Sequence, residues 1–489
     1  MCVFVCYLKY VQNPGTDMDI LLLVSVRSIF SVNQINHIQG GTEMNATALD
    51  IQKIGFDEVS DPTKTNYVEL CLVNISPLNR LARNRSIAGN KNETVKMKVS
   101  EDGLTFLLTT GKTEIKLGPN AAKTQVLPVT MWQETLEKYQ MKHYEIRSVE
   151  DPGTKTITQT GEYKPIQNIS VRNIIKKLMA AGDEAMKQAI SIKIDNLTDH
   201  QLQTGQRILL YMTTKRDELS VKDFNDLLLE FWKIIPRPMN RINQLMAHID
   251  SDYDEILNRE QALLDMLYQN LRQTDTIVPD KDVLEANGIE MRPVTEDEMK
   301  EIKELMTSER GRVLNAWRVE NKETRAAFEA RRKERGFKDK EGTTLLFHGS
   351  GTENWYSIIR NGLKLNPELI KSGVRICGKA FGYGIYFAPY CAKSMSYANA
   401  SRSYGTNTTE HYMGIYEVMT GNPYFIYQDP NHTRPNTWED FHRDHPDMDC
   451  CWASSGYDGS DVGLMRLAYD ETIVYQENQC TIKYLIEFM

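Results

Sequence analysis

The chain has 489 residues, roughly three times an ordinary domain, so about two to four domains are expected and a small stapled scaffold is excluded. With 41% hydrophobic and 25% charged residues its composition is that of a soluble globular protein, neither a disordered chain nor a membrane span. A formal net charge of -8 and a sequence pI near 5.7 exclude a global attraction to nucleic acid or anionic lipid, so any such partner must use a local basic face.

Residues 1–65 read as an unassigned leader. The opening MCVFVCYLKY lacks a positively charged n-region, and the apolar run Ile20 to Val26 is too short to span a bilayer, so neither a secretion signal nor a membrane anchor is expected. Without a secretory route, Asn45-Ala-Thr and Asn92-Glu-Thr are chance glycosylation triplets. The cysteines, Cys2, Cys6, Cys71, Cys377, Cys391, Cys450, Cys451 and Cys480, show neither CxxC pairs nor histidines at zinc-finger spacing, and read as reduced thiols of a reducing compartment.

Across residues 66–150 the alternating runs Tyr67 to Val73 and Glu114 to Leu117, separated by Gly and Asn turns, predict a small strand-rich module closed by a helix over Met131 to Lys142. A Thr, Gly and Pro-rich linker, Asp151 to Pro165, follows. The period then changes to 3.6. Val171, Ile174, Ile175 and Leu178 share a face behind Ser170 as N-cap, with Gly182 just past the expected end. Ser220 caps a helix carrying Val221, Phe224, Leu227, Leu228 and Phe231 and stopped by Pro236 and Pro238, and Ile256, Leu263, Leu264 and Leu267 continue the pattern. Residues 166–273 are thus expected to be an all-α bundle.

The acidic stretch Asp275 to Pro293 reads as a connection to the last domain, 276–489, where a capping box at Thr295 and Glu298 opens a helix with Met299, Ile302, Leu305 and Met306. Strand-like runs at Thr344 to Phe347, Gly384 to Phe387, Met413 to Val418, Thr472 to Tyr475 and Ile482 to Ile486 make this domain α+β with a mixed or antiparallel sheet. The basic run Arg331-Arg-Lys-Glu-Arg335, interleaved with Glu329 and Glu334, reads as a solvated helix face.

Phosphate-loop, nucleophile-elbow, HExxH and GxGxxG motifs are missing. What stands out in the last domain is a set of aromatic, Gly and single polar residues. His348-Gly-Ser350 ends an apolar strand where backbone can approach a ligand, and Gly378 to Ala388 carries a Gly-rich loop into an aromatic strand. Lys393 to Tyr397 opens the next element, and Asp470-Glu471 precedes a β-branched strand. Taken singly, each also fits a bland reading as a strand-end His, core aromatics or a solvated edge Glu.

Together the strings LLFHGS (Leu345 to Ser350), FGYGIYFA (Phe381 to Ala388), KSMSY (Lys393 to Tyr397), EVMTGNPY (Glu417 to Tyr424), DETIVY (Asp470 to Tyr475) and IKYLI (Ile482 to Ile486) resemble, in order and spacing, the catalytic domain of the poly(ADP-ribose) polymerases. The bundle, with FWKIIPR at Phe231 to Arg237, resembles the regulatory helical domain of the DNA-responsive members. The strand-rich module sits where those carry a WGR domain, with Thr110-Gly111-Lys112 at the motif's place. The implied architecture is α+β multidomain: a degenerate WGR-like module, an all-α regulatory bundle, and a mixed α/β ADP-ribosyltransferase domain with antiparallel-rich sheets.

The resemblance implies NAD as substrate, with no metal, and His348, Tyr386 and Glu471 as the catalytic set. His348 would bond the adenosine ribose, the Gly349 backbone and Ser394 hydroxyl would hold the nicotinamide carboxamide, and Tyr386 and Tyr397 would flank its ring. Ser350, Asn354 and Lys364 match adenosine-side positions, Lys364 replacing a frequent Arg and losing its planar fork. Lys393 and Tyr469 match the acceptor side. Ala380 and Tyr383 depart from the family's usual residues, so acceptor preference does not carry over. Glu471 would bond the ribose 2′-hydroxyl and polarise the attacking hydroxyl, which favours polymer over single-unit transfer.

Implied partners are NAD, acceptor proteins including the enzyme itself, and DNA ends acting through the upstream domains; a membrane partner is not expected. The implied location is intracellular, and nuclear in a eukaryote. Rival readings are a mono-ADP-ribosyltransferase of the same fold, a catalytically silent NAD- or DNA-binding scaffold, and an RNA 2′-phosphotransferase, against which the DETIVY string speaks. The acidic segment Asp429 to Asp449, with several histidines, has no clean metal-ligand spacing.

Overall fold

Alternation along Tyr67–Asn74 (β1), Lys91–Val99 (β2) and Thr105–Lys112 (β3) puts Val68, Leu70, Val95, Met97, Phe106 and Leu108 on one buried face. Helix α1 (Trp132–Gln140) covers that face through Trp132 and Leu136, with the Phe106 and Trp132 rings edge to face at 5.2 Å. With β4 (Ala122–Pro128) and β5 (Glu145–Ser148) the strands form a sheet in the order β4-β3-β2-β1-β5. Thr110-Gly111-Lys112 falls at the end of β3. The computed structural model describes residues 65–74, 91–113, 122–149, 151, 163–191, 197–238, 245–271, 280–372, 379–399, 411–428, 434–456 and 467–489. Residues 1–64 of the 1–65 leader, the run Glu114 to Leu117, most of the Asp151 to Pro165 linker, and Cys2, Cys6 and Cys377 lie outside the described residues. Cys71, Cys391, Cys450, Cys451 and Cys480 are free and buried.

The strand-rich module is tied to the helices by a buried polar contact. Arg147 on β5 donates from Nη1 to Glu69 (2.9 Å) and from Nε to the carbonyl of Lys233 (2.6 Å), while Lys233 Nζ reaches Glu145 at 2.8 Å. Burial opposes ionisation of Glu69, but the charges of Arg147 and Lys96 and its hydrogen bonds outweigh it and hold the carboxyl below its ordinary value.

Helix α2 spans Ile169–Ala189 and is capped by Asn168, whose side chain accepts from the Val171 N–H at 3.2 Å. The expected cap, Ser170, lies inside the first turn, where its hydroxyl accepts from Trp317 Nε1 at 3.0 Å. Gly182 does not end the helix either. A Cβ there would stand 3.2 Å from the carbonyl oxygen of Glu353, so the glycine lets α2 lie against the turn Thr352–Asn354. The apolar face of α2, Val171, Ile174, Ile175 and Leu178, packs into the same core as Trp317, Trp355 and Tyr412 of the last domain.

Helices α3 (Asp199–Lys215), α4 (Val221–Ile234) and α5 (Tyr253–Leu271) follow. Ser220 caps α4 as expected and Phe224, Leu227, Leu228 and Phe231 are buried. The α2 C-terminus is joined to the α4 end where Arg237 donates to the Ala189 carbonyl at 2.8 Å.

Part of the expected acidic connection is structured. Val283–Ala286 forms a helical turn (α6), and Ile289–Pro293 (β6) pairs antiparallel with Val313–Asn321 (β7), so this stretch is the edge of the catalytic sheet. The Thr295/Glu298 capping box opens α7 (Glu296–Leu305) as read from the sequence. Strands β8 (Thr343–Gly349), β10 (His411–Met419) and β14 (Cys480–Phe488) complete a five-stranded sheet, β6-β7-β14-β10-β8. A second sheet has the order β11-β12-β13-β9, from Ile385–Phe387 (β9), Pro423–Phe425 (β11), Cys450–Ala453 (β12) and Glu471–Val474 (β13). Helix α8 (Lys322–Glu334) carries the basic run up to its C-cap Arg335; Lys333 and Glu334 are solvated as expected, but the three arginines are not. Arg332 is buried and donates to the Glu341 carbonyl at 3.2 Å and to those of Lys338 and Asp339, Arg331 lies 5.3 Å over the Trp438 ring, and Arg335 pairs with buried Asp449 at 2.7 Å. Loop carbonyls and an aromatic face replace solvent as their partners.

Candidate active site

The two sheets meet where β8 ends. Phe347 and Ala388 exchange backbone hydrogen bonds of 2.8 and 2.9 Å, which brings the end of β8 beside β9. β9 in turn pairs with β13, Tyr386 opposite Ile473 and Phe387 opposite Thr472. This register draws His348, Tyr386 and Glu471 from three strands to one cleft.

His348 is held by its Nδ1, 2.9 Å from the Tyr386 carbonyl. A carbonyl only accepts, so Nδ1 carries the hydrogen and Nε2 presents a lone pair to the cleft. The rings of Trp355, Phe387 and Tyr416 surround the imidazole edge to face at 6.5, 5.7 and 5.9 Å. Burial, aided by the charge of Lys379 and opposed by the carbonyl bond, pushes its pKa down to about 4, so the ring is neutral near pH 7.

Gly349 lies against the backbone of helix α11 (Cys391–Asn399): a Cβ would overlap the Ser394 carbonyl. The close approach suspected at this glycine is therefore to protein backbone, and it seats buried Ser394 next to the end of β8. Tyr386 is locked across its loop, its hydroxyl donating to the Gly382 carbonyl (2.9 Å) and accepting from the Phe381 N–H (3.0 Å). Glu471, at the entrance of β13, is 7% exposed, and its Oε1 lies 2.6 Å from Lys393 Nζ. Burial works against the Lys393 charge, but the hydrogen bond and charge of Glu471 prevail and raise its pKa. The same ammonium is 5.4 Å from the centre of the Tyr397 ring, which is 53% exposed.

The structure thus brings His348, Gly349, Tyr386, Lys393, Ser394, Tyr397 and Glu471 together. Ser350 and Asn354 adjoin them, Asn354 Nδ2 donating to Ser350 Oγ at 3.0 Å. Among the described residues, Asn354 Oδ1, Glu353 Oε2 and Thr352 Oγ1 are buried without a hydrogen-bond partner, unused polar capacity on the side assigned to adenosine. Lys364 is not offered to that side: its Nζ pairs with Glu477 at 2.9 Å. Tyr469 is partly exposed two residues before Glu471. Tyr383, one of the two departures from the family pattern, is buried between Leu210 of α3 and Leu369 of α10 (Pro367–Ser372). The sequence reading passed over Lys379, whose Nζ lies 5.3 Å over the Tyr386 ring; a single Lys beside Gly378 gives no periodic or motif signal.

Chemically, the cleft offers a carboxylate held by an ammonium, two tyrosine rings, and a neutral imidazole acceptor. It is suited to a flat heteroaromatic leaving group beside a sugar and to a cation developing near Glu471. Among the described residues no cluster of His, Cys, Asp or Glu is arranged to hold a metal, and no helix is long and apolar enough to cross a membrane.

Residues 295–489 match the family model of the poly(ADP-ribose) polymerase catalytic domain. The chain is 23% identical over 386 residues to Poly [ADP-ribose] polymerase 1 of Danio rerio, a match covering 72% of this chain and 37% of that one. It is 30% identical over 193 residues to Protein mono-ADP-ribosyltransferase PARP3 of Gallus gallus, covering 36% and 33% of the two chains. It is also 30% identical over 165 residues to Poly [ADP-ribose] polymerase 2 of Homo sapiens, covering 30% and 27%. The chain therefore spans little more than a third of the first relatives it matches. The matched region contains every residue of the cleft, and over residues 295–489 the chain carries a poly(ADP-ribose) polymerase catalytic domain.

Proposed function

We propose that the protein transfers ADP-ribose from NAD to protein acceptors, itself included, and elongates the product into a polymer. The reading rests on one observation, the buried Glu471 carboxylate beside Lys393 in a cleft lined by Tyr386 and His348. Nicotinamide in NAD is already cationic and departs neutral, so the reaction needs no general acid. The bond from ribose C1′ to the nicotinamide nitrogen breaks and its electron pair leaves with the base. Glu471 bonds the 2′-hydroxyl and offsets the positive charge growing on the ribose. An acceptor oxygen then bonds C1′ and gives up its proton, in elongation to Glu471. His348 Nε2 accepts from the adenosine ribose, the Gly349 backbone and the Ser394 hydroxyl hold the carboxamide, and Tyr386 and Tyr397 flank the nicotinamide ring. Ser350 and Asn354 line the adenosine side, and Lys393 and Tyr469 face the acceptor.

The helical region, 166–273, restrains the site, supported by the lie of α2 against the turn Thr352–Asn354. DNA ends release it through the WGR-like module, 66–150, a ligand relieving restraint only by preferring the open state. A nuclear, DNA-damage-linked role is part of this reading, supported by the resemblance of the bundle to the regulatory helical domain of the DNA-responsive members. The second reading, single-unit transfer, is favoured by the match to a relative named a mono-ADP-ribosyltransferase.

Incubation with labelled NAD, with and without short DNA duplexes, tests both readings on a denaturing gel. A ladder that Glu471→Gln reduces by about 10²- to 10³-fold supports the polymerase; one discrete band supports mono-transfer. Unlabelled protein under both conditions would remove the transferase reading. Labelling indifferent to duplex ends would remove DNA activation.

A further inference from the structure

Glu471 stands on the last rung of its strand. Ala453 of β12 pairs with it on one side, the end of a ladder in which Cys451 faces Ile473 and Trp452 faces Thr472. On the other side β9 pairs with Thr472, Ile473 and Val474. The next residue of that segment, Ala388, gives both its N–H and its carbonyl to Phe347 of β8. The contact that joins the two sheets therefore leaves Glu471 paired along one edge, at a strand end, where opening costs least. A carboxylate that must meet a developing charge needs a firmer placing, since a displacement of about 1 Å can cost about 10²-fold in rate.

A further hold lies one residue earlier. Asp470 is half-buried, and its carboxylate ties the entrance of β13 back to β12 and to the turn beyond it. Oδ2 accepts from Trp452 Nε1 at 3.1 Å and Oδ1 accepts from the Ser455 N–H at 2.7 Å. The Gly456 N–H donates to the Leu467 carbonyl at 2.8 Å, closing the base of the same connection. Side chains alternate along a strand and Trp452 faces Thr472, so the indole works from the face of the sheet turned away from Glu471. The Trp452 ring is itself set against Phe425 of β11, with centroids 6.1 Å apart. Lys393 holds the Glu471 carboxylate at its tip, whereas Asp470 holds the backbone from which that side chain springs. An ionised acceptor makes each of its hydrogen bonds about twice as strong as a neutral one, which suits a clamp.

We propose, on the NAD reading of the cleft, that Asp470 is the positioning residue of Glu471, acting through the Trp452 indole and the Ser455 N–H.

The test follows nicotinamide release from NAD by the full chain, with and without a short DNA duplex, and benzamide binding by calorimetry. It compares wild type, Trp452→Phe, Asp470→Asn, Asp470→Ala and the Trp452→Phe/Asp470→Asn double variant. Trp452→Phe keeps a ring beside Phe425 and removes the indole donor. Asp470→Asn keeps an acceptor for the Ser455 N–H and gives up the one offered to the indole. Each should lower kcat by about tenfold, the worth of one hydrogen bond to a charged group, with KM for NAD and benzamide affinity unchanged. The double variant should be no worse than Asp470→Asn, because both changes break the same bond. Asp470→Ala, which breaks both bonds, should lose about 10²-fold. Wild-type kcat in Trp452→Phe and Asp470→Asn alike, losses that multiply in the double variant, or a raised KM at constant kcat would overturn the proposal while leaving the NAD reading intact. Benzamide affinity falling in step with kcat would reveal a general loss of the cleft and also overturn it. A wild type that neither released nicotinamide nor bound benzamide would instead bring down the NAD reading, and the proposal with it.

Discussion

Lys393 Nζ and Glu471 Oε1 meet at 2.6 Å, an ion pair between helix α11 and strand β13 in which neither side chain is more than one-fifth exposed. The lysine aims the carboxylate by a charge-assisted hydrogen bond. Lys393→Met is expected to lower kcat by about 10- to 100-fold, the worth of such a bond, with little change in KM. Lys393→Arg should return part of the loss. A variant that raised KM and left kcat alone would show that Lys393 only binds substrate.

The depressed pKa of His348 makes a pH prediction with a definite sign. Between its ordinary value of 6.5 and its value of about 4 in the fold, the unfolded chain takes up a proton that the folded site refuses. The associated stability is fully present above about pH 6.5 and is lost as pH falls through about 4, by up to about 3 kcal/mol. Denaturant unfolding of wild type and His348→Gln over this range should show the wild type losing more. Parallel curves would mean that His348 titrates alike in both states. Near neutrality no activity inflection from His348 is expected.

Gly182 offers a test of restraint by the helices. In an exposed helix interior a larger residue would stabilise by up to about 1 kcal/mol. Here the added Cβ faces the backbone carbonyl of Glu353 at 3.2 Å, which a flexible side chain cannot relieve. Gly182→Leu should therefore push α2 off the turn Thr352–Asn354 and raise DNA-independent turnover several-fold, with the far-ultraviolet circular dichroism retained. Unchanged or lower turnover in the folded variant would argue that α2 does not restrain the site.

Arg147 carries a structural prediction. Its side chain is fully buried between Glu69 and the Lys233 carbonyl, so Arg147→Met leaves a buried carboxylate with one partner fewer and an unmet carbonyl. Breaking such a pair costs about 3–5 kcal/mol, measurable as a lowered urea midpoint. The double change Glu69→Leu/Arg147→Met should recover much of it, since it removes the stranded charge.

Local signals carried most of what the sequence revealed. The Thr295/Glu298 box, the Ser220 cap and the periodic faces of α2, α4 and α5 all depend on residues within a turn or two, and they appear at the expected places. Asn168, two positions before Ser170, has the better capping geometry, and Gly182 resembles a helix stop only while the Glu353 carbonyl is out of sight. β7 went unread because Ala316 and Trp317 are buried in succession, which breaks alternation; β12 is four residues long and buried on both sides. The cleft residues were legible through their strings, whereas Lys379, whose ammonium lies over the Tyr386 ring, sits in a loop with no pattern of its own.

The order β6-β7-β14-β10-β8 has a consequence for biosynthesis. β14, the latest of these strands to be made, is the one that lies between β7 and β10, and its register with both is antiparallel. A ribosome adding ~5–20 residues per second needs roughly 10–30 s to pass from Asn321 to Cys480. Throughout that interval β7, and from the completion of Met419 onward β10 as well, present an unpaired edge, their side chains Trp317, Val319, Met413 and Ile415 being buried in the finished fold. The nascent domain is thus a natural client for chaperones that mask strand edges, and slowing translation between these strands should lower the yield of folded protein without altering its final stability.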